Sequence, residues 1–186
     1  SLSLNEAIGQ NQITAHTLLN IGNAYFSQAD HARALDYFKR SLELSQKLGD
    51  GPAVSNAELG VSSVYALQGN HAAAIEAAER ALAIGSQMQK PDLIWMSHNF
   101  IGQSQRALGN LDRARQSFIN AIEVIEKMRT GVVGGEQEKQ RFFEDKLAPY
   151  HSMIGLLLDA KSLDEALGYA ERAKARTLLD VLSSGR

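Results

Sequence analysis

Apolar positions along the chain fall at the spacing of one helix face, in blocks that come back at a fixed interval. In residues 12–28 the stripe is Leu18, Leu19, Ile21, Tyr25 and Phe26; in residues 31–48 it is Ala34, Leu35, Phe38, Leu42 and Leu48. Ala29-Asp30 breaks the pattern between them, which predicts two helices packed back on each other through a tight turn. Forty residues on, the pattern returns: Asp30 recurs as Asn70 and Asn110, Ala34 as Ala74 and Ala114, and Leu42 as Leu82 and Ile122. A repeat of this length predicts a solenoid, in which each unit buries its apolar face on its neighbours. The expected fold class is all-α, a right-handed superhelical solenoid of antiparallel helix hairpins with a period of about 40.

The register sets the expected organisation. Ser1-Leu2-Ser3-Leu4 aligns with Ser41-Leu42-Glu43-Leu44, so residues 1–11 read as the end of a preceding repeat in a longer array. Full repeats are expected at 12–50, 51–90 and 91–130. Gly49-Asp50-Gly51-Pro52 closes one helix and opens the next, glycine serving the left-handed cap and proline the first turn. The second helix of the 51–90 unit is unusually rich in alanine, which predicts a close helix–helix contact. The glycine-rich stretch Gly131-Val132-Val133-Gly134-Gly135 then opens an insertion and helix extension at 131–146. A fourth repeat is expected at 147–182, where Ala166 matches Ala114 at a spacing of 52, with Pro149 marking a kink or boundary. Residues 183–186 read as a linker to a downstream domain.

Composition narrows the chemistry. With a formal net charge of −2, the chain carries no nucleic-acid footprint. No cysteine is present, which excludes disulfides, thiolate metal sites and a cysteine nucleophile in these residues and fits a cytoplasmic setting. No apolar run reaches the roughly 20 residues of a membrane span. His16, His31, His71, His98 and His151 are scattered, without the spacing of metal ligands. Glu136, Glu138, Glu144 and Asp145 alternate with Lys139, Arg141 and Lys146, as on a solvated helix face. The glycines at 131–135 lack the Lys-Ser/Thr ending of a phosphate loop. No catalytic residue, cofactor or metal site is therefore expected, and the chain by itself is not expected to be an enzyme.

A binding surface is the better candidate. The first helix of each hairpin lines the concave side of such a superhelix. Stepping along these helices in register gives a groove set of Leu19, Asn23, Phe26, Leu59, Ser63, Asn99, Gln103 and Arg106. The amides can donate to and accept from a peptide backbone. Leu19 and Phe26 could hold an apolar side chain, and Arg106 could pair with a carboxylate.

The small–aromatic–turn–alanine–aromatic–alanine order, from Gly22 and Tyr25 through Ala34, Phe38 and its register mates, resembles the tetratricopeptide repeat (TPR) and covers nearly the whole chain. Its period departs from that family's usual length of about 34. It resembles the longer-period subclass that includes cell-polarity adaptors and bacterial peptide-sensing regulators. Ser62, Ala78 and Gln105 depart from the usual residue types. Leu19, Leu59 and Met96 stand where the family's clamp for a C-terminal carboxylate is polar, which argues against a chaperone-tail receptor. The stretches Gln140-Arg141-Phe142-Phe143-Glu144-Asp145-Lys146-Leu147-Ala148-Pro149-Tyr150 and Ala166 through Asp180 are similar to the segment that closes the repeat region of bacterial CHAT-domain proteins. That resemblance implies a caspase-like peptidase domain downstream in the parent chain. Its His–Cys dyad would lie there, and the present residues would recognise a protein or peptide partner and control it. The alternative expectation is a peptide-sensing regulator or adaptor unconnected with proteolysis.

Overall fold

The 40-residue period has a simple mechanical origin. The computed structural model describes the backbone of residues 2–131 and 146–183, and the side chains of residues 9–131 and 146–173. Its helices are α1 (Leu2–Ser27), α2 (His31–Leu48), α3 (Gly51–Leu67), α4 (His71–Gln87), α5 (Pro91–Ala107), α6 (Leu111–Thr130), α7 (Ala148–Asp159) and α8 (Leu163–Ser183). Two 17-residue helices, α3 and α4, with a three-residue link after each, make up the period. No strand occurs among the described residues.

The links are short because their chemistry is local. In the α1–α2 turn Ala29 takes a left-handed conformation (φ 59°), and the Asp30 carboxylate accepts the Arg33 backbone N–H at 3.0 Å. The α3–α4 turn repeats this with Gly69 at φ 76° and Asn70 accepting from the Ala73 N–H. Gly109 takes the same position at φ 78° in the third turn, where Asn110 instead donates its side-chain amide to Gln105. Gln105, a departure from the repeat pattern, thus closes the turn from inside the hairpin. Gly49 ends α2 at φ 67°, and Asp50 caps α3 by accepting from the Ala53 N–H. Pro149 lies in the first turn of α7 and marks a boundary, not a kink.

The hairpins stack in two layers. α1, α3, α5 and α7 form one layer in which each helix touches the next; α2, α4, α6 and α8 form the other and pack on their hairpin partners. The layer whose members lie closest together is the concave one. The core is correspondingly segmental. Phe38, Val61, Val64 and Ala77 form one cluster, Leu59, Ala78, Ala81 and Ile101 the next, Trp95, Ala121 and Ile125 a third, and Phe118, Ile122, Tyr150, Met153 and Leu157 the last. Each cluster joins only adjacent helices, as stability built from neighbour interfaces requires.

Close approach is set by paired residues across the two layers. The Phe38 ring, fully buried, lies against Gly22 of α1 and Gly60 of α3. A Cβ at either glycine would stand 2.6–2.8 Å from the ring, closer than carbon atoms can approach. Phe118 meets Gly102 in the same manner. In the middle hairpin the corresponding pair is Ser62 and Ala78. With no ring to accommodate, the Ser62 hydroxyl donates to the Ala74 carbonyl of α4 at 2.8 Å. The departures at Ser62 and Ala78 are therefore one coupled change. The alanine-rich α4 packs tightly, as expected: Ala74, Ala77, Ala78, Ala81 and Gly85 are all buried, and at Gly85 an added Cβ would lie 2.9 Å from Leu93.

One feature differs from the expected layout. The expected boundary between 1–11 and 12–50 falls inside α1, which runs unbroken through it and carries no glycine–proline pair at that point. The expected helix extension lies outside the described residues except at its edges, as does the linker at 183–186 except for Ser183. α7 nevertheless stacks on α5, so the fourth hairpin continues both layers despite the longer spacing.

Phe38→Ala should destabilise the fold by about 3–5 kcal/mol, the cost of removing a fully buried aromatic ring; urea denaturation followed by circular dichroism measures it. Ala29→Gly should stabilise by about 0.5–1 kcal/mol, because glycine loses the Cβ strain of the left-handed conformation and retains part of its entropic cost. A rise in thermal midpoint checks the sign.

Candidate peptide-binding groove

A groove cavity of about 390 Å³ opens on the concave layer between α1, α3 and α5. Its apolar walls are Leu19 and Phe26 from α1, Leu59 from α3, and Met96 and Phe100 from α5, with Phe38 of α2 at the base. Asn23, Asn56 and Ser63 supply the polar lining, and Gly60 contributes bare backbone. The size falls within the range of roughly 300–1,000 Å³ for ligand pockets, and the mixture of apolar walls with a few polar groups is the usual one.

The glycine contact that admits Phe38 also shapes this floor. Because Gly60 carries no Cβ, the buried ring of an outer helix packs directly beneath the backbone of the inner surface. The Ser63 hydroxyl donates to the Leu59 carbonyl at 2.9 Å, which leaves its oxygen able to accept. The side-chain amides of Asn23 and Asn56 bond no other protein group among the described residues.

The expected groove set separates into two parts. Leu19, Asn23, Phe26, Leu59 and Ser63 converge on the cavity. Asn99, Gln103 and Arg106 do not line it. Gln103 donates to Ser152 of α7 at 3.4 Å. Arg106 sends Nε and Nη2 to one Asp159 carboxylate oxygen at 2.9 and 2.5 Å, and its guanidinium lies over Gly155. The carboxylate expected for Arg106 is therefore internal, supplied by the next inner helix. Asn99 is buried, and its Oδ1 has no hydrogen-bond partner among the described residues.

Phe38, Asn56, Gly60, Met96 and Phe100 complete the cavity beyond the set read from the register. Asn56 and Met96 lie one helical turn before Leu59 and Asn99 and share their face, so the period itself could have indicated them. Phe38 belongs to an outer helix, and only the bare backbone at Gly60 signals its reach.

Charge is distributed unevenly between the layers. In the inner helices from Gly9 onward, the charged residues within the described part are Glu58, Asp92, Arg106 and Asp159. Glu58 is buried and takes a two-pronged pair from Arg80 of α4 at 2.7 and 2.8 Å, and this hydrogen bonding raises the Arg80 pKa. Arg106 and Asp159 bind each other. Asp92 sits in the first turn of α5 and accepts from the Trp95 indole at 3.2 Å. None of the four lines the cavity. Half-buried His98 on α5 is held toward its neutral form by desolvation, which lowers its pKa. Among the described residues no cluster of His, Asp and Glu could hold a metal ion, and no helix is long and apolar enough to cross a membrane.

Fold and groove together define a helical-hairpin solenoid with an uncharged inner cavity. A family model described as tetratricopeptide repeat matches residues 13–87, the two hairpins that supply most of that cavity. Among solved structures, the apo form of RapI superposes with a TM-score of 0.72 at 18% identity, over 87% of this chain and 55% of that one. A Podosopora anserina protein described as a kinesin light chain with nearly identical TPR-like repeats superposes at 0.60 and 15% identity, over 87% of this chain and 74% of that one. These likenesses show a TPR-like solenoid. The chain spans about half the length of RapI. No curated protein sequence matches it.

The Arg106–Asp159 pair is half-exposed, so its coupling should be modest. A double-mutant cycle of Arg106→Ala and Asp159→Ala should give about 0.2–1 kcal/mol of interaction by chemical denaturation.

Proposed function

We propose that this chain is a protein- or peptide-binding scaffold whose ligand occupies the α1–α3–α5 groove. The convergence of Leu19, Asn23, Phe26, Leu59 and Ser63 on one cavity carries the proposal. Unpartnered amides beside apolar walls suit an extended backbone with a buried side chain. In this reading residues 12–50, 51–90, 91–130 and 147–182 act as four repeats. Gln103 and Arg106 lie between that groove and α7, where Arg106 acts as a strut, and Asn99 supports them from the interior. The chain performs no chemistry of its own.

The finer reading places this scaffold as the regulatory, partner-recognition region of a CHAT-type protease in the cytoplasm. It is supported by the stretch from Gln140 to Tyr150, part of which lies outside the described residues, and by Ala166 through Asp180. The alternative is a peptide-sensing regulator or adaptor with no link to proteolysis, which the 40-residue period favours. In the parent chain, a peptidase whose activity changes when the groove is altered supports the first reading. A partner response with no change in proteolysis supports the second.

Asn23→Ala combined with Phe26→Ala should weaken a bound partner at least about ten-fold, since truncating one well-packed interface anchor already costs that much. Glu43→Ala with Lys47→Ala, an exposed outer-layer pair, should leave it unchanged. Site-specific photocrosslinking supplies the partner: a benzophenone side chain at position 63 should capture it and one at position 43 should not. Capture at position 43 alone would overturn the groove assignment.

A further inference from the structure

The solenoid is polarised by charge as well as by layer. α2 alone carries Arg33, Asp36, Lys39, Arg40, Glu43 and Lys47, whereas α1 from Gly9 to Ser27 carries no Asp, Glu, Lys or Arg. The charged side chains of α3, α5 and α7 lie off the cavity, and three of the four are held in ion pairs. The cavity is therefore lined only by apolar side chains, two amides, a hydroxyl and bare backbone.

Such a lining selects against charge. A carboxylate or ammonium entering it would lose hydration and find no countercharge, while a neutral apolar side chain would be stabilised by burial against Leu19, Phe26 and Phe100. The two amides can each donate to and accept from a peptide bond, the one polar group that every uncharged peptide carries.

Resting on the groove reading above, we propose that the ligand is an uncharged, extended peptide segment of about six residues anchored by a large aliphatic or aromatic side chain. The length follows from helix spacing. Three inner helices at about 8–10 Å between axes span roughly 16–20 Å, the reach of about six residues at roughly 3.3 Å each. The anchor enters between Phe26, Leu59 and Phe100, and Asn23 and Asn56 hold the backbone on either side. Binding is accordingly insensitive to ionic strength, because no ion pair is formed that salt could screen.

The test is selection of a displayed random heptapeptide library on the full 186-residue chain, followed by anisotropy measurements on the synthesised peptides. The expected peptides carry an aromatic or aliphatic residue and no fixed charge. Their Kd should change by less than about two-fold between 50 and 500 mM salt, and a Lys or Glu replacing the anchor should weaken binding by about ten-fold or more. Ser63→Asp, with its helicity verified by circular dichroism, should shift the selection toward peptides with a basic residue. Peptides with a fixed charge and strong salt dependence that still lose binding in Asn23→Ala/Phe26→Ala would overturn the uncharged class and leave the groove reading standing. Neutral peptides indifferent to that double variant would overturn the groove reading too, and a selection that enriches nothing would overturn both.

Discussion

An aromatic ring pressed onto bare backbone sets the spacing of this molecule. Phe38 reaches from an outer helix to Gly22 and Gly60 on two successive inner helices, and Phe118 repeats the contact on Gly102. Helices that present glycine to a ring can approach more closely than the side-chain ridges of ordinary packing allow. That approach fixes the inner helices side by side and leaves the Phe38 ring as a floor of the groove. The middle hairpin solves the same problem with Ser62 and Ala78, exchanging the ring for a buried hydroxyl-to-carbonyl hydrogen bond. The contact is local to each pair of neighbours, so the array can change its solution from one repeat to the next without disturbing the rest.

The separation of charge follows from the two-layer arrangement. Outer helices meet water on a wide face and carry most of the Lys, Arg, Asp and Glu of the described helices, where those charges stay hydrated. Inner helices meet each other and a narrow concavity, where an unpartnered charge would be poorly hydrated. The few charges there are consumed internally. Glu58 is buried against Arg80, and Arg106 spans from α5 to α7 to meet Asp159. The second of these pairs ties the last described hairpin to the regular array on the far side of the longer spacing.

Much of the architecture was legible in the chain because it rests on short-range chemistry. The turn after Tyr25 follows from an Asx cap and a left-handed residue; both recur at Gly69-Asn70, and at Gly109-Asn110 the left-handed residue recurs while the Asn110 side chain bonds Gln105. The face containing Leu19, Asn23 and Phe26 follows from helical periodicity, and Leu59 and Ser63 from the repeat register. Strict translation of that register fails at the third repeat. The face that is open groove at Asn23 and Ser63 becomes, at Gln103, a contact surface for α7. Register describes a residue's place on its own helix; whether that place meets solvent depends on what the next helix brings.

The sequence by itself determined most of the helices, their turns and the period, since the helices and turns depend on residues within one or two helical turns of one another and the period only repeats them. Only the tertiary structure decided that Phe38 of an outer helix floors the groove, that Ser62 and Ala78 are one compensated pair, and that Arg106 is occupied by Asp159. Those outcomes depend on contacts between residues 12 to 53 positions apart, and helix packing, not local pattern, brings such residues together.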